Sequence, residues 1–342
     1  MHKLLSYAII AILACFCTVP MLCAAPKQPQ PQARDKTIHV VTIDKVQYLY
    51  LDDVARFYGF TMTVNGKNIT LSSRFSRLVF KVDGRIATIN TIDQYLAFSV
   101  RLAKEHYLLS LIDFQKVIDP ILRPATIPRH NVRTIVIDAG HGGKDPGCMN
   151  GVIKEKNITL QVAHRLANLL KKRGYNVIMT RQTDIYPTLD QRVNATNKIK
   201  PDLYISLHCN ATANAAVSGI EVYCATAAGS APSDSKVISN RTCVSNAYDL
   251  ENAFLAYHVQ KRLVSATQAV DRGARHKRFK VIADTNAPCI LIEMGFLTNQ
   301  AECQALSQPQ RQMLTGTAIA NAIEEYKNAV SPRMPRPALS PR

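Results

Sequence analysis

Several short apolar runs in this chain lead to side chains that can ligate a metal ion or carry a proton. The clearest are the runs 135–137, 203–207 and 290–292, which are followed by His141, His208 and Glu293. Runs of this length and composition predict buried strands. Because ligands bind beyond the carboxyl ends of the strands in open α/β sheets, we expect these side chains to meet at one sheet edge.

The segment around His141 is rich in glycine and is followed by a carboxylate. Gly140, Gly142 and Gly143 flank His141, and glycine permits backbone angles and close approaches that other residues resist. Glu155 comes fourteen positions after His141, at the start of an amphipathic helix. Two imidazoles and two carboxylates are enough for a catalytic zinc site with two His and one Glu as ligands, an open position for water and a Glu as base.

Strands and helices alternate through the second part of the chain. Predicted strands cover 134–137, 175–181, 202–207, 219–223 and 289–292. Predicted helices cover about 157–173, 253–267 and 308–328, and a further helix within 187–200 has Thr188 as its cap. This alternation predicts an α/β fold with a mostly parallel central sheet flanked by helices, interrupted by a polar insert at 225–252.

Residues 37–125 predict a separate small α+β domain. Strand-like runs surround the turn "VNGKN" and the short helix "LDDVARFYGF". This layout resembles the stalk-like N-terminal module found beside copper amine oxidases. Its histidines, His39 and His106, are isolated, so a spacer or protein-interaction module is favoured over a copper site. The segments 26–36 and 126–132 predict linkers, because they are rich in Pro and polar residues.

Six motifs of the second part follow one another in the order of a known enzyme family. They are "DAGHGGKDPG", "KEKNITLQVAHRLANLLKKRGYNVIMTR", "RVNATNKIKPDLYISLHCN", "SGIEVY", "DRGAR" and "NAPCILIEMGFLTN". Residues 133–329 therefore resemble the catalytic domain of the zinc-dependent N-acetylmuramoyl-L-alanine amidases of type 3. The resemblance implies a phosphorylase/hydrolase-like fold and cleavage of the amide between N-acetylmuramic acid and L-alanine of the peptidoglycan stem peptide.

The resemblance also implies roles for individual residues. The zinc-binding positions of the family correspond to His141, Glu155 and His208, with one Zn²⁺ per domain, and the catalytic base corresponds to Glu293. Such a base takes a proton from water and returns it to the leaving amine. Further candidates either orient the ligands, contact the substrate or are structural: Asp138, Asn210, Arg181, Arg192 and Arg272.

Some family members carry an inhibitory helix before the "DRG" motif, which an activator protein displaces. Here the insert 225–252 occupies that place, and "SNAYDLENAF" predicts one or two helical turns. If this insert were inhibitory, Glu251 would be the residue that reaches the metal. The basic segment 271–280, which contains Arg272, either attracts stem-peptide carboxylates or is a solvated loop.

The N-terminal segment predicts export. Residues 1–25 have a positive start, a short apolar core and small residues before a cleavage point, as in a signal peptide, with lipidation as the alternative. The tail 330–342 is rich in Pro and Arg and predicts disorder. Six cysteines follow the signal segment, and Cys224 with Cys243 is the one pairing we consider.

The net charge of +17 favours polyanionic partners or surfaces, and both cell-wall polymers and anionic lipid headgroups fit it. For an exported chain we expect peptidoglycan as the partner, in the periplasm, in the cell envelope or outside the cell. We expect a monomer without a transmembrane span in its mature form, a protein activator as a second partner, and no nucleic-acid partner, because no nucleic-acid motif accompanies the charge. Two alternatives stay open: another zinc-dependent wall peptidase or deacetylase, and a non-catalytic wall-binding or activator protein.

Overall fold

The computed structural model describes residues 37–332. The predicted signal segment 1–25, the linker 26–36 and residues 333–342 of the predicted tail lie outside the described residues. All the described residues belong to one compact unit. Within 37–332, no helix is long and apolar enough to cross a membrane.

The first part of the described chain is a series of short antiparallel strands with little helix. The strands are β1 (Val40–Ile43), β2 (Val46–Tyr50), β3 (Thr61–Asn65), β4 (Asn68–Ser72), β5 (Arg77–Lys81), β6 (Ile86–Ile89), β7 (Ile92–Tyr95), β8 (Arg101–Ala103) and β9 (His106–Ser110). The helices are α1 (Leu51–Tyr58), α2 (Leu111–Asp113) and α3 (Asp119–Leu122), with a π-helical turn at Phe114–Ile118 and a 3₁₀ turn at Pro124–Thr126. Helix α1 ends at Gly59, whose left-handed backbone suits a helix C-terminus.

The second part alternates strands and helices, as the sequence predicts. Its strands are β10 (Thr134–Ala139), β11 (Met149–Asn150), β12 (Ile153–Lys154), β13 (Asn176–Met179), β14 (Leu203–Asn210), β15 (Ile220–Cys224), β16 (Asp271–His276) and β17 (Cys289–Phe296). Its helices are α4 (Glu155–Lys172), α5 (Leu189–Ile199), α6 (Asp249–Thr267), α7 (Lys280–Ala283), α8 (Gln300–Ser307) and α9 (Pro309–Val330), with a 3₁₀ turn at Val244–Tyr248. The predicted cap of α5 is confirmed, because the Thr188 hydroxyl accepts a hydrogen bond from the Gln191 N–H.

The central sheet has the strand order β13-β10-β14-β17-β15-β16-β7-β6-β5-β4-β3. Strands β13, β10, β14 and β17 are parallel, and β15 pairs with β17 in the antiparallel sense. Side chains from α4, α6 and α9 pack on one face of this sheet, and side chains from α5 and α7 pack on the other. The predicted α/β class with helices flanking a mostly parallel sheet is therefore confirmed.

The sheet continues across the predicted boundary between the two domains. Strand β7 pairs with β16 through Gln94 and Ala274. This pairing joins the antiparallel strands of the first part to the strands of the second part. Tyr257 of α6 packs within the core of the first part. The predicted linker 126–132 is anchored as well, since Ile127 and Val132 are buried in the main core. The basic segment 271–280 contains the strand that makes this join, so residues 271–276 are not a solvated loop.

The described cysteines, residues 148 to 303, are all free thiols. The considered pair Cys224–Cys243 is not formed in the structure. The thiol of Cys224 is buried and instead donates to the backbone oxygen of Asn252, 3.2 Å away. A small buried thiol fills core volume much as an apolar side chain does.

Candidate active site

His141 lies directly beyond the carboxyl end of β10, in a strained turn. Its φ of 60° is left-handed, which is uncommon for a residue with a Cβ. At the preceding residue, Gly140, a Cβ atom would lie 2.3 Å from Cε1 of His208. Position 140 therefore requires glycine, because the backbone there lies in contact with the imidazole of His208.

His141, Glu155 and His208 come together at this sheet edge. Their candidate ligand atoms all lie within 4.8 Å of one another. Oε1 of Glu155 is 3.0 Å from Nε2 of His141 and 3.1 Å from Nδ1 of His208. His208 is on β14 and Glu155 opens α4, so two separate elements and the turn after β10 build one cluster.

The carboxylate of Glu155 is fixed from several sides. The N–H groups of Cys209 and Cys148 each donate to it, to Oε1 and Oε2 respectively, over 2.9 Å. Burial opposes ionisation, but the contacts with His141 and His208 outweigh it and hold the pKa of Glu155 well below its usual range. At Gly147, a Cβ atom would lie 2.6 Å from Oε2 of Glu155, so the chain leaves space for this carboxylate.

Asp145 orients His141 and was missed by the sequence reasoning. Its Oδ2 lies 2.8 Å from Nδ1 of His141, which donates to it and so directs Nε2 toward Glu155. A carboxylate on the far nitrogen of a metal-binding imidazole is a common arrangement in metal sites. Burial lowers the pKa of His141, but its contacts with Glu155 and Asp145 raise it overall. The signal for Asp145 was available, since it lies four positions after His141 in the glycine-rich motif.

Glu293 lies on β17 beside His208, its Cα partner on β14. The side chain is buried, with 9% of the residue exposed, and among the residues that the structure describes its Oε2 has no hydrogen-bond partner. Burial, followed by the nearby carboxylates of Glu155 and Glu221, raises the pKa of Glu293 well above its usual range. A carboxylate with a raised pKa is a stronger base than an ordinary carboxylate.

Asp138 and Arg192 form a buried ion pair beneath the His141 turn. Nη1 of Arg192 is 2.6 Å from Oδ1 of Asp138, and its Nη2 donates to the His141 carbonyl over 2.7 Å. Oδ1 and Oδ2 of Asp138 also accept from Thr180 and Ser206. Although burial raises it, Arg192 holds the pKa of Asp138 below its usual value. Both residues support the backbone from which His141 projects.

Arg181 supports the same turn from the other side. Its guanidinium is almost completely buried and donates to the backbone oxygens of Ala139, Gly140 and Lys156, each within 2.9 Å. One side chain thereby ties together three backbone carbonyl groups from two separate elements. Arg181 thereby connects the end of β10 to the start of α4.

Asn210 and Arg272 meet at Glu221, a buried residue of β15 that the sequence did not single out. Nδ2 of Asn210 lies 2.9 Å from Oε2 of Glu221, and Nε of Arg272 lies 2.8 Å from Oε1. Arg275 and Tyr223 also donate to this carboxylate. Glu221 is the Cα partner of Glu293 in the β15–β17 pair, so this saturated carboxylate lies beside the candidate base.

The structure does not bring Glu251 to the cluster. Glu251 is buried in the first turn of α6, and the charged groups that influence it are His130, Asp249 and Lys116. The cavity at the cluster has a volume of about 60 Å³, and Glu251 is not among the described residues that line it. Tyr186 and Leu189, both exposed, form its outer wall beside His141 and His208.

The donor set fits a zinc ion. Two imidazole nitrogens and one carboxylate oxygen, with space for a fourth ligand, are the protein ligands of many catalytic zinc sites. The ligand atoms around a tetrahedral zinc ion lie about 3.4 Å apart, close to the 3.0 and 3.1 Å separations found here. The glycines at 140 and 147 leave the cluster free of side-chain atoms that would fill it.

Several known proteins are similar to the second part of the chain. The family model of N-acetylmuramoyl-L-alanine amidase matches residues 135–325, which is more than half of the chain. The protein YqiI of Bacillus subtilis (strain 168), which is uncharacterised, is 33% identical over 195 residues, covering 57% of this chain and 84% of YqiI. The probable cell wall amidase LytH of Staphylococcus saprophyticus subsp. saprophyticus is 30% identical over 197 residues, covering 57% of this chain and 58% of LytH.

A solved structure covers the same part of the chain. The catalytic domain of CwlV, an N-acetylmuramoyl-L-alanine amidase from Bacillus (Paenibacillus) polymyxa var. colistinus, superposes with a TM-score of 0.50 at 29% identity, covering 58% of this chain and 99% of that domain. Residues before 135 lie outside the family match. On the extent of that match, together with the sheet and the cluster described above, this chain belongs to the N-acetylmuramoyl-L-alanine amidase family.

Proposed function

We propose that this protein is a zinc-dependent hydrolase that cleaves the amide between N-acetylmuramic acid and the L-alanine of the stem peptide in peptidoglycan. The observation that carries the proposal is the meeting of His141, Glu155 and His208 beside a buried carboxyl, Glu293, with an unpartnered oxygen. We infer that the first three residues would hold the zinc ion and that Glu293 is the catalytic base.

Each side chain contributes a separate part of the proposed reaction. When bound, zinc supplies a Lewis acid that polarises the scissile carbonyl and acidifies water. Glu293 takes a proton from water and later gives it to the leaving amine, because its Oε2 is free of other partners and its pKa is raised. Asp145 fixes the orientation of His141, and the two backbone N–H groups fix Glu155. The substrate enters past Tyr186 and Leu189.

The setting of the reaction is part of the same proposal. The family membership and a relative that is named as a probable cell wall amidase support action on the cell wall. Export to the periplasm or cell envelope, a cleaved signal peptide and control by a protein activator stay predictions of the sequence. An inhibitory role of Glu251 has no support from the arrangement of the cavity.

The test is digestion of purified peptidoglycan by the full-length mature protein, with and without a chelator, with the products identified by mass spectrometry. We expect intact stem peptides beginning with L-alanine, whose release stops in the chelator and returns when zinc is added. Shortened peptides would indicate a peptidase and acetate would indicate a deacetylase. Binding without any product would support a non-catalytic wall-binding protein.

A further inference from the structure

A second cavity, with a volume of about 800 Å³, lies outside the candidate active site. It is formed by the β1–β2 turn, the helical segment 111–116 and part of the insert 225–252. The two cavities have no lining residue in common. Its volume falls within the range of about 300–1,000 Å³ that small-ligand sites occupy in proteins, whereas the cavity at His141 holds only about 60 Å³.

The wall that the insert contributes is held in place by two arginines. Arg85 of the first part donates to the backbone oxygens of Ala231, Pro232 and Ser235. Arg278 donates to the backbone oxygens at 227, 239 and 241. A loop whose carbonyl groups are fixed in this way forms a preorganised wall, which lowers the entropic cost of binding a ligand.

The floor is fixed by a buried carboxylate. Oδ1 and Oδ2 of Asp113 accept from the N–H groups of Ala97 and Phe98, over 2.6 and 3.1 Å. Phe98 lines the cavity together with Leu111 and Ile112, so the floor is apolar. Such a surface accommodates methyl groups and short aliphatic chains.

The polar lining matches a peptide better than a polyanion. Three carboxamides, Gln47, Gln115 and Asn240, line the cavity, and a carboxamide both donates and accepts, as a peptide backbone does. The charges are mixed: Asp44 pairs with Arg101, and Lys116 pairs with Asp249. Among the described residues, only Lys45 in this lining is a cation without an acidic partner. One free cation suits a single carboxylate.

We propose that this cavity, the stem-peptide groove, binds the peptide part of a peptidoglycan strand separately from the catalytic cleft. The groove would hold the short stem peptide, with one of its carboxylates at Lys45, its amide groups at the carboxamides and its methyl groups over Phe98. The identity of the peptide rests on the proposed function, while the peptide-like chemistry of the groove does not. The groove would then hold the enzyme on polymeric wall while cleavage proceeds elsewhere.

The test is isothermal titration of the full-length mature protein with a sugar-free stem tetrapeptide, L-alanyl-γ-D-glutamyl-diaminopimelyl-D-alanine. The first variant is Lys45→Glu, which reverses the free charge, and the second is Gln115→Trp, which fills the groove. The control is Lys104→Glu, because Lys104 is also an exposed lysine in a left-handed hairpin turn but does not line the groove. Circular dichroism and thermal melting check that each variant folds.

We expect the wild type to bind the peptide and Lys45→Glu to lose affinity by about ten-fold or more, as the loss of one charge pair would cause. Gln115→Trp should lose affinity to a similar extent, and Lys104→Glu should keep it. The proposal is overturned if the wild type does not bind the peptide, if Lys45→Glu and Lys104→Glu behave alike, or if peptide-free chitin oligosaccharides compete for the groove.

Binding and cleavage are measured separately, so the two proposals can fail separately. Titration of the peptide requires no catalysis, and amide cleavage of a soluble muramyl peptide requires no groove. One outcome is that the wild type binds the peptide, Lys45→Glu abolishes this binding, and the muramyl peptide is not cleaved. This outcome would support the proposed groove and contradict the proposed amidase activity. Normal cleavage of the muramyl peptide without binding of the free peptide would support the amidase activity and contradict the groove.

Discussion

Two buried glutamates lie opposite each other in the central sheet, and they differ in how their charges are satisfied. Glu221 on β15, 2% exposed, accepts from Asn210, Tyr223, Arg272 and Arg275. Glu293 on β17 is its Cα partner, yet its Oε2 has no partner within the described chain. A saturated carboxylate holds structure together, whereas one with a free oxygen is available for proton transfer.

The largest expected effect is on catalysis, at Glu293. We predict that Glu293→Gln lowers the rate of stem-peptide release by about 10²–10⁴-fold, because the amide cannot take a proton from water. Its zinc content and thermal stability should stay near those of the wild type. Initial rates on purified peptidoglycan, with zinc measured by atomic emission, check this prediction. Glu105→Gln, an exposed glutamate in the β8–β9 turn, is the matched control.

The second prediction concerns stability, at Glu221. We predict that Glu221→Gln lowers the free energy of unfolding by about 3 kcal/mol, the lower end of the range for removing one partner of a buried ion pair. The lower end applies because Arg272 and Arg275 are partly exposed and water can reach them. Urea denaturation measures the change. A loss below about 0.5 kcal/mol, typical of a surface substitution, would contradict the structural role.

The third prediction concerns His276 and the pH dependence of the free energy of unfolding. Burial, with Arg85 nearby, lowers the pKa of His276 to about 4, although contacts with the backbone at Tyr95 and Ala225 oppose this. Between about pH 6.5 and 4 the unfolded chain therefore binds a proton that the folded chain does not, so stability is full above pH 6.5 and falls as the pH is lowered.

The size of this effect is about 2 kcal/mol at pH 5. His276→Gln should remove it, so the difference in unfolding free energy between pH 7.5 and pH 5 should be smaller in the variant than in the wild type. Denaturation curves of both proteins at the two pH values measure it. Equal acid sensitivity of the two proteins would show that His276 is not held neutral in the fold.

The last prediction concerns Asp145, which acts through another side chain. Asp145→Asn should weaken zinc binding by about 10- to 100-fold, as loss of a hydrogen-bond partner to a metal ligand does. The reason is that the amide no longer favours the orientation of His141 that directs Nε2 toward Glu155. Competition with a chromogenic chelator measures the affinity. An unchanged dissociation constant for zinc would show that Asp145 does not contribute to the metal site.

The cluster could be predicted from the sequence because its residues follow strong local patterns. Short apolar runs predict β10, β14 and β17, and the position of His141, His208 or Glu293 after or within each strand is visible in the chain. Glu155 is visible as the carboxylate that precedes an amphipathic helix, and the family resemblance implies its role as a ligand. The structure brings the three candidate zinc ligands together, with Glu293 beside His208.

The long-range pairings could not be predicted in this way. Glu221 lies in a short apolar strand that has no distinguishing motif. Its arginine partners lie about fifty residues later, in a segment whose sequence indicates only a basic patch. Gln94 and Ala274, which join the two sets of strands, are separated by about half of the chain, and no local pattern encodes such a pairing. Tertiary packing decides such contacts, and propensity carries little information about them.

The most direct test of the account compares Glu293→Gln with Glu221→Gln on purified peptidoglycan, with turnover expressed per folded, zinc-loaded molecule. We predict that Glu293→Gln loses turnover by about 10² -fold or more while Glu221→Gln stays within about ten-fold of the wild type. If Glu293→Gln kept turnover within ten-fold, or if Glu221→Gln lost as much as Glu293→Gln, the assignment of the proton transfer to the unpartnered carboxyl would be contradicted.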